Sequence, residues 1–353
     1  MKAVRNLVHS VQSKHVSSPE TLVERGLIPP DHFEAVTEAC KTLPVRLTSH
    51  IAAQIDSQNL TSPLAKQFVP SPNETFVEDD EIADPIGDVT HSPVAGIVHR
   101  YPDRVLLTPV LSCPVYCRFC FRREFVGDGL LNNDDLESAI DYIRNHPEIW
   151  EVILSGGDPL ILSQRRLGEI IDALDAIDHV AVIRVHTRVP VVDPHRVTRT
   201  LTDALKRKTP VFIVLHCNHA DELVPEARDA IAQFVDNGFP VLSQSVLLKD
   251  VNDNSDTLAT LMKTLVQCRV KPYYLHHGDK AQGTSHFRTA LAVGRKLISQ
   301  LRGQLSGLCQ PTYMLDIPGG HGKIPAAEDY LKLENDGSWT VVDWKGNTHQ
   351  YLD

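Results

Sequence analysis

Residues 105–275 repeat one unit, and that repeat limits the fold more than any other feature of the chain. Apolar runs of strand length fall at 105–111, 151–154, 180–185, 211–215, 241–248 and 270–275. From the second run onward the starts lie about thirty residues apart, the length of one strand–helix–strand unit. Helical patterns fill the gaps. Leu258, Leu261, Met262 and Leu265 take i, i+3, i+4, i+7 spacing behind a capping Asn254, and Leu136, Ala139, Ile140 and Ile143 take it behind Asn133. Six strands alternating with helices predict an α/β fold with a parallel sheet, open or curled into a barrel. A seventh apolar run follows at 313–317.

The polar residues of this segment gather just past each strand: Ser155-Gly-Gly-Asp158, His186-Thr-Arg188, His216-Cys-Asn-His219, Gln244-Ser245 and His276-His-Gly-Asp279. Ligands bind at the carboxyl ends of strands in βα barrels and open α/β sheets, so these ends are candidate binding positions.

The most specific motif follows the first strand: Cys113-Pro-Val-Tyr-Cys117-Arg-Phe-Cys120. Three thiolates can bind three irons of a [4Fe-4S] cluster and leave the fourth iron open to chelate S-adenosylmethionine. Zinc is the alternative, although it ordinarily takes a fourth Cys or His at short spacing and none stands nearby. In Ser155-Gly156-Gly157-Asp158 the glycines permit close backbone approach and the carboxylate can hold an ammonium. Pro318-Gly-Gly-His-Gly-Lys323 offers a lysine able to form an imine with an aldehyde cofactor; a phosphate-cradling loop is an alternative, and the segment by itself reads first as a mobile surface turn. Arg100, Arg104, Arg122 and Arg123 flank the cysteine loop and suit phosphate or carboxylate groups. Asp279 and Asp316 are candidate anchors for a cationic substrate. Cys40, Cys217, Cys268 and Cys309 are scattered and read as apolar fillers.

Around this segment the chain is less regular. Residues 1–99 read as a helical N-terminal extension, with helices expected over 31–40 and 47–57. The acidic run Glu78-Asp-Asp-Glu81 reads as a solvated loop. Residues 100–310 form the barrel. Residues 311–353 form a short C-terminal segment in which 339–344 reads as a strand or hairpin edge. A net charge of −10 argues against a nucleic-acid partner. No run of eighteen apolar residues suggests a membrane span. Residues 1–5 are basic without an apolar signal core, and the cysteines cluster where a secreted disulfide framework would spread them, so a cytoplasmic location is expected.

Taken in order, these residues resemble the lysine 2,3-aminomutases and their shorter relatives that modify elongation factor P. The resemblance runs from about Gln67 to about Pro325. It rests on His99-Arg-Tyr-Pro-Asp-Arg104, the cysteine loop through Arg123, residues 155–160, Arg188-Val-Pro-Val-Val192, Asn218-His219, Gln244-Ser-Val-Leu-Leu248, Lys271-Pro-Tyr-Tyr274, His286-Phe-Arg288 and residues 316–325. It implies a partial (βα)6 barrel carrying a [4Fe-4S] cluster on Cys113, Cys117 and Cys120, with S-adenosylmethionine and pyridoxal 5'-phosphate. It implies Lys323 as the lysine that carries pyridoxal phosphate, and Arg100, Tyr101 and Arg104 as further contacts to that cofactor. Gly156, Gly157, Asp158, Arg188, His216 and Gln244 are the remaining cofactor-binding candidates. Arg122 is implied for the substrate carboxylate, and Asp279 and Asp316 for the distal ammonium. The implied activity moves the 2-amino group of lysine to carbon 3, giving β-lysine as a metabolite or for attachment to elongation factor P. It needs an electron donor and suits a homo-oligomer, most simply a dimer. Arginine or ornithine would also present a distal cation, and a zinc-stabilised binding module is the non-enzymatic alternative. Two features depart from the family: no cysteine follows Cys309, so the C-terminal zinc site of the longer enzymes is not expected here, and Phe119 stands where several members carry histidine.

Overall fold

A computed structural model describes residues 15–127 and 129–353. The basic segment 1–5 lies outside the described residues. Nine strands form one sheet in sequential order. Strand β1 (Ile97–Tyr101) pairs antiparallel with β2 (Arg104–Val110). From β2 the sheet runs parallel through β3 (Glu151–Gly156), β4 (Val182–Thr187), β5 (Val211–His216), β6 (Val241–Val246), β7 (Lys271–His276) and β8 (Thr312–Asp316). Strand β9 (Lys323–Pro325) returns antiparallel on the far edge. The seventh apolar run thus joins the six expected strands as a further parallel member, so the sheet continues past residue 310 without a break. Its nine strands curl into a partial barrel.

Alternation along each strand sorts the side chains. On β3, Val152 and Leu154 are fully buried, while Glu151, Ile153 and Ser155 line the lumen. On β4, Ile183 and Val185 are buried, while Arg184 and His186 face inward. Helices supply the outer layer. Leu258, Leu261, Met262 and Leu265 of Ser255–Gln267 are all buried, and the Asn254 side chain accepts from Thr257 N at 2.9 Å. Each such leucine contributes roughly 2–3 kcal/mol by leaving water. The helix Asn133–Arg144 is capped by Asn132 rather than Asn133, because the oxygen of Asn132 accepts from Asp135 N at 2.8 Å.

The N-terminal extension packs against the cysteine loop. Of its expected helices, the first spans Phe33–Thr42 and the second only Ser49–Gln54. The Glu74 carboxylate, buried in this extension, accepts from Arg118 Nε at 3.0 Å and from Arg123 Nη2 at 2.8 Å. Burial alone would raise its pKa; the two guanidinium groups override burial and lower it. Arg118 also donates to the carbonyls of Leu43 and Pro44 at 2.9 and 3.0 Å. The acidic run is a loop exposed at Glu78, Asp79 and Asp80, as expected, but it is tethered and its last member, Glu81, is buried. Glu78 pairs with Arg288 at 2.6 Å, Asp80 with Lys280 at 2.7 Å, and Glu81 Oε2 accepts from Gly283 N at 3.0 Å. It straps the 280–288 loop across the barrel mouth. The 339–344 segment supplies the middle strand of a three-stranded antiparallel meander. Among the described residues no helix is long and apolar enough to cross a membrane.

Candidate active site

The carboxyl ends of the parallel strands open into one cavity of about 520 Å³. The three cysteines, Arg100, Tyr101, Arg104, Arg122, Gly156, Gly157, Asp158, Arg188, His216, Gln244, Asp279, Asp316 and Lys323 all line it; of the flanking arginines, Arg123 does not, being buried against Glu74 and Gly283 O. The sheet alternation explains the gathering, since inward positions of successive strands share one lumen.

The cysteine loop is clamped on either side of Cys117. Tyr116 N donates to Arg46 O at 3.0 Å and Arg118 N to Gln67 O at 2.9 Å. Burial pushes the Cys120 thiol up to about 11 and raises Cys113 and Cys117 as well, so any metal taken up on these sulfurs has to supply the free energy that deprotonates them. Among the described residues no group of three His, Cys, Asp or Glu side chains is arranged about a single ion.

Arg188 stands directly behind this loop. Its Nη1 donates to Cys117 Sγ at 3.4 Å, and its Nη2 donates to Gln67 Oε1 and Glu222 Oε2, both at 2.6 Å. Burial opposes the charge, but Cys117 and Glu222 overcome burial and hold the guanidinium pKa above its ordinary value.

Two candidates take a different part from the one their spacing suggests. The Asp158 carboxylate is engaged by the protein: it accepts from Thr187 Oγ1 at 2.8 Å, Leu160 N at 3.0 Å and Arg188 N at 2.7 Å. It staples the β3 turn to the end of β4 and is not left open to an ammonium. A Cβ on Gly157 would come within 2.0 Å of Ser112 O. That glycine admits the backbone leading into the cysteine loop, and Asp158 N donates to the same oxygen at 2.9 Å.

At the far edge of the sheet, Lys323 is a strand residue and not part of a surface turn. Its backbone N–H donates to the Tyr101 hydroxyl at 2.8 Å, which links the open edges β9 and β1 across the mouth. Gly322 (φ +90°) makes this turn, and a Cβ there would sit 3.1 Å from that hydroxyl. Lys323 Nζ donates to both oxygens of Asp316 at 2.7 and 2.8 Å. His276 Nδ1 lies 3.3 Å from Asp316 Oδ2. Burial opposes ionisation of Asp316, yet His276 and Lys323 bring its pKa down to about 2. Asp279 has the opposite surroundings. Burial and then the Asp316 charge push its carboxyl up to about 7. Burial, with Arg188 next, lowers His216 to about 3. His186, His216 and His276 each leave a buried Nε2 without a partner.

Asp88 was not singled out by sequence reasoning, and it organises two of the arginines. Its Oδ1 accepts from Arg100 Nη2 at 2.9 Å and its Oδ2 from Arg122 Nε at 2.8 Å. Gln67 and Glu222 were missed in the same way. Each acts across more than thirty residues of sequence, where no local spacing signals a partner.

A model of the radical SAM superfamily matches residues 107–262. An L-lysine 2,3-aminomutase of Methanococcus maripaludis is 42% identical over 321 residues, covering 90% of this chain and 74% of that protein. An L-lysine 2,3-aminomutase of Acetoanaerobium sticklandii is 39% identical over 345 residues, covering 97% of this chain and 81% of that protein. A glutamate 2,3-aminomutase of Clostridioides difficile is 31% identical over 336 residues, covering 95% and 79%. With the strand order and the cysteine loop already in place, identity of this extent over nearly the whole length means that the chain belongs to the lysine 2,3-aminomutase family of radical SAM enzymes.

Proposed function

We propose that this protein is an isomerase that moves the 2-amino group of lysine to carbon 3, giving β-lysine. The observation that carries the substrate is the acidic end of the cavity. Asp316 already holds a primary ammonium, that of Lys323, through both oxygens. Asp279, pushed up to about 7, is a half-buried acid whose ionised form needs a cation. A substrate with a distal carboxylate, such as glutamate, would place a third negative group there.

The residues fit the cofactors of the family. Three half-buried thiols on the cavity wall without a fourth Cys or His suit a cubane with one open iron. A primary amine on Lys323, the Tyr101 hydroxyl, and the Arg100 and Arg104 guanidiniums suit an aldehyde that carries a phosphate. Arg100 Nε is a buried donor without a partner, available to such a group. When bound, the cluster and S-adenosylmethionine supply a 5′-deoxyadenosyl radical, and pyridoxal phosphate delocalises unpaired electron density next to the migrating nitrogen.

The chain's own groups bind, orient and shield the substrate. Arg122, held by Asp88, receives the substrate carboxylate in a charge-assisted fork. Asp316 and Asp279 take the distal ammonium at the other end, so the 2- and 3-carbons lie between fixed charges. Asp316 would be free for this if Lys323 Nζ, which now occupies it, turned to hold the aldehyde cofactor. The 76–91 strap, pinned by Glu78, Asp80 and Asp88, helps to keep water from reactive species in the lumen. A low-potential electron donor and a homodimer belong to the same reading.

Anaerobically reconstituted protein given lysine, arginine or ornithine tests the proposal. β-Lysine should dominate. Turnover of arginine or ornithine with lysine untouched would move the substrate assignment to that amino acid.

A further inference from the structure

The Arg188 side chain has more specific partners than a packing residue needs. It is 7% exposed, and its partner Glu222 is fully buried. Its guanidinium group lies 4.8 Å from the Phe68 ring centroid and 5.4 Å from that of Phe119. One nitrogen reaches Cys117 Sγ at 3.4 Å, within the sulfur hydrogen-bond range, while the other is fixed between Gln67 and Glu222 at 2.6 Å each. Glu222 is itself immobilised, accepting from the backbone N–H groups of Asn218 and His219 at 2.8 and 2.9 Å. The cation therefore cannot turn away from the sulfur without abandoning two short hydrogen bonds to buried partners.

We propose that Arg188 is a positioning residue for the iron–sulfur centre: its N–H donates to Cys117 Sγ and favours the reduced cluster, and Glu222 sets how much of that positive charge the cluster feels. The inference rests on Cys117 being a cluster ligand. Reduction adds one electron, from a low-potential one-electron donor, to the oxidised cluster, with no bond made or broken. The reduced cluster carries more negative charge, so a cation and an N–H···S bond at a ligand sulfur raise the reduction potential. That helps the donor to load the cluster, and it moderates the drive for the cluster to pass the electron on to S-adenosylmethionine.

The test is the cluster midpoint potential, followed by electron paramagnetic resonance in parent protein, Glu222→Gln and the double variant Arg188→Gln/Glu222→Gln. Glu222→Gln keeps the cation and removes its counter-charge, so its potential should move positive. The double variant leaves a neutral amide pair and should move negative of the parent. Each shift should approach a tenfold change in the reduction equilibrium, about 59 mV for one electron. A role in packing alone would lower iron content without separating the two variants in sign. Unmoved potentials, or shifts in the same direction, overturn the inference. If the double variant holds no cluster, Glu222→Gln decides alone, and absence of a positive shift is the overturning result. A parent protein that binds no iron would instead overturn the site reading, and this inference with it.

Discussion

Replacing Asp279 by asparagine should make the ligand-free protein more stable while crippling it as a lysine enzyme. The carboxyl is lifted from its ordinary 3.8 to about 7, first by burial and then by Asp316. At full weight, a displacement of that size costs the folded state roughly 4 kcal/mol once the group ionises. Asp279 keeps some solvent contact, so about 2 kcal/mol is the expected net cost. The sign follows from linkage. The folded pKa is raised, so the penalty is absent below about pH 4, grows between pH 4 and 7, and is complete above 7. The amide of the Asp279→Asn variant never carries the charge, so its gain over the parent should follow that same window. Anaerobic denaturant unfolding of cofactor-free protein from pH 4 to 8.5 measures it. With substrate the order reverses. Loss of a charged hydrogen bond to the distal ammonium costs about 2–3 kcal/mol, or roughly 30- to 150-fold in kcat/KM for lysine. In the parent, lysine binding should also weaken below about pH 7, as Asp279 takes up its proton, and in the variant that dependence should vanish. An asparagine variant that is less stable than the parent at pH 8, or that keeps parental kcat/KM, would refute the reasoning.

Three other substitutions probe separate parts of the site. Lys323→Ala should abolish borohydride-trappable pyridoxal on the protein; a trapped adduct at unchanged stoichiometry would mean that another lysine carries the cofactor. Gly157→Ala drives a Cβ to within 2.0 Å of Ser112 O, and should cost more than about 3 kcal/mol together with most of the bound iron, read by unfolding and iron analysis. Asp88→Asn frees Arg122 and Arg100 from their shared carboxylate, and should raise KM for lysine about tenfold with a smaller change in kcat; equal losses in both would place Asp88 in the chemistry itself.

The barrel was legible in the sequence because its signals are local. Strand-length runs, helix faces such as Leu258–Leu261–Leu265, and polar residues just past each strand all repeat within one unit. The cysteine loop and Lys323 were legible through motif and family resemblance. What stayed hidden depends on contacts between distant parts of the chain. Asp88 finds Arg122, Gln67 finds Arg188, and Glu74 finds Arg118 only after the extension wraps the barrel. For the same reason the exposed acidic run gives no local sign of its tethers to Arg288 and Lys280. Gly157 and Asp158 were legible as important positions. Their partners proved to be backbone and Thr187, because a turn that close to the cysteine loop must first satisfy its own hydrogen bonds.

The central claim is that this cavity moves an amino group within lysine. The most direct measurement uses lysine labelled with nitrogen-15 at the 2-amino group, incubated with reconstituted protein, S-adenosylmethionine, pyridoxal phosphate and a low-potential reductant under anaerobic conditions. The account predicts β-lysine with the label retained on carbon 3. Lysine recovered unchanged from protein that holds its full complement of iron and pyridoxal phosphate, or a β-amino product without the label, would contradict it.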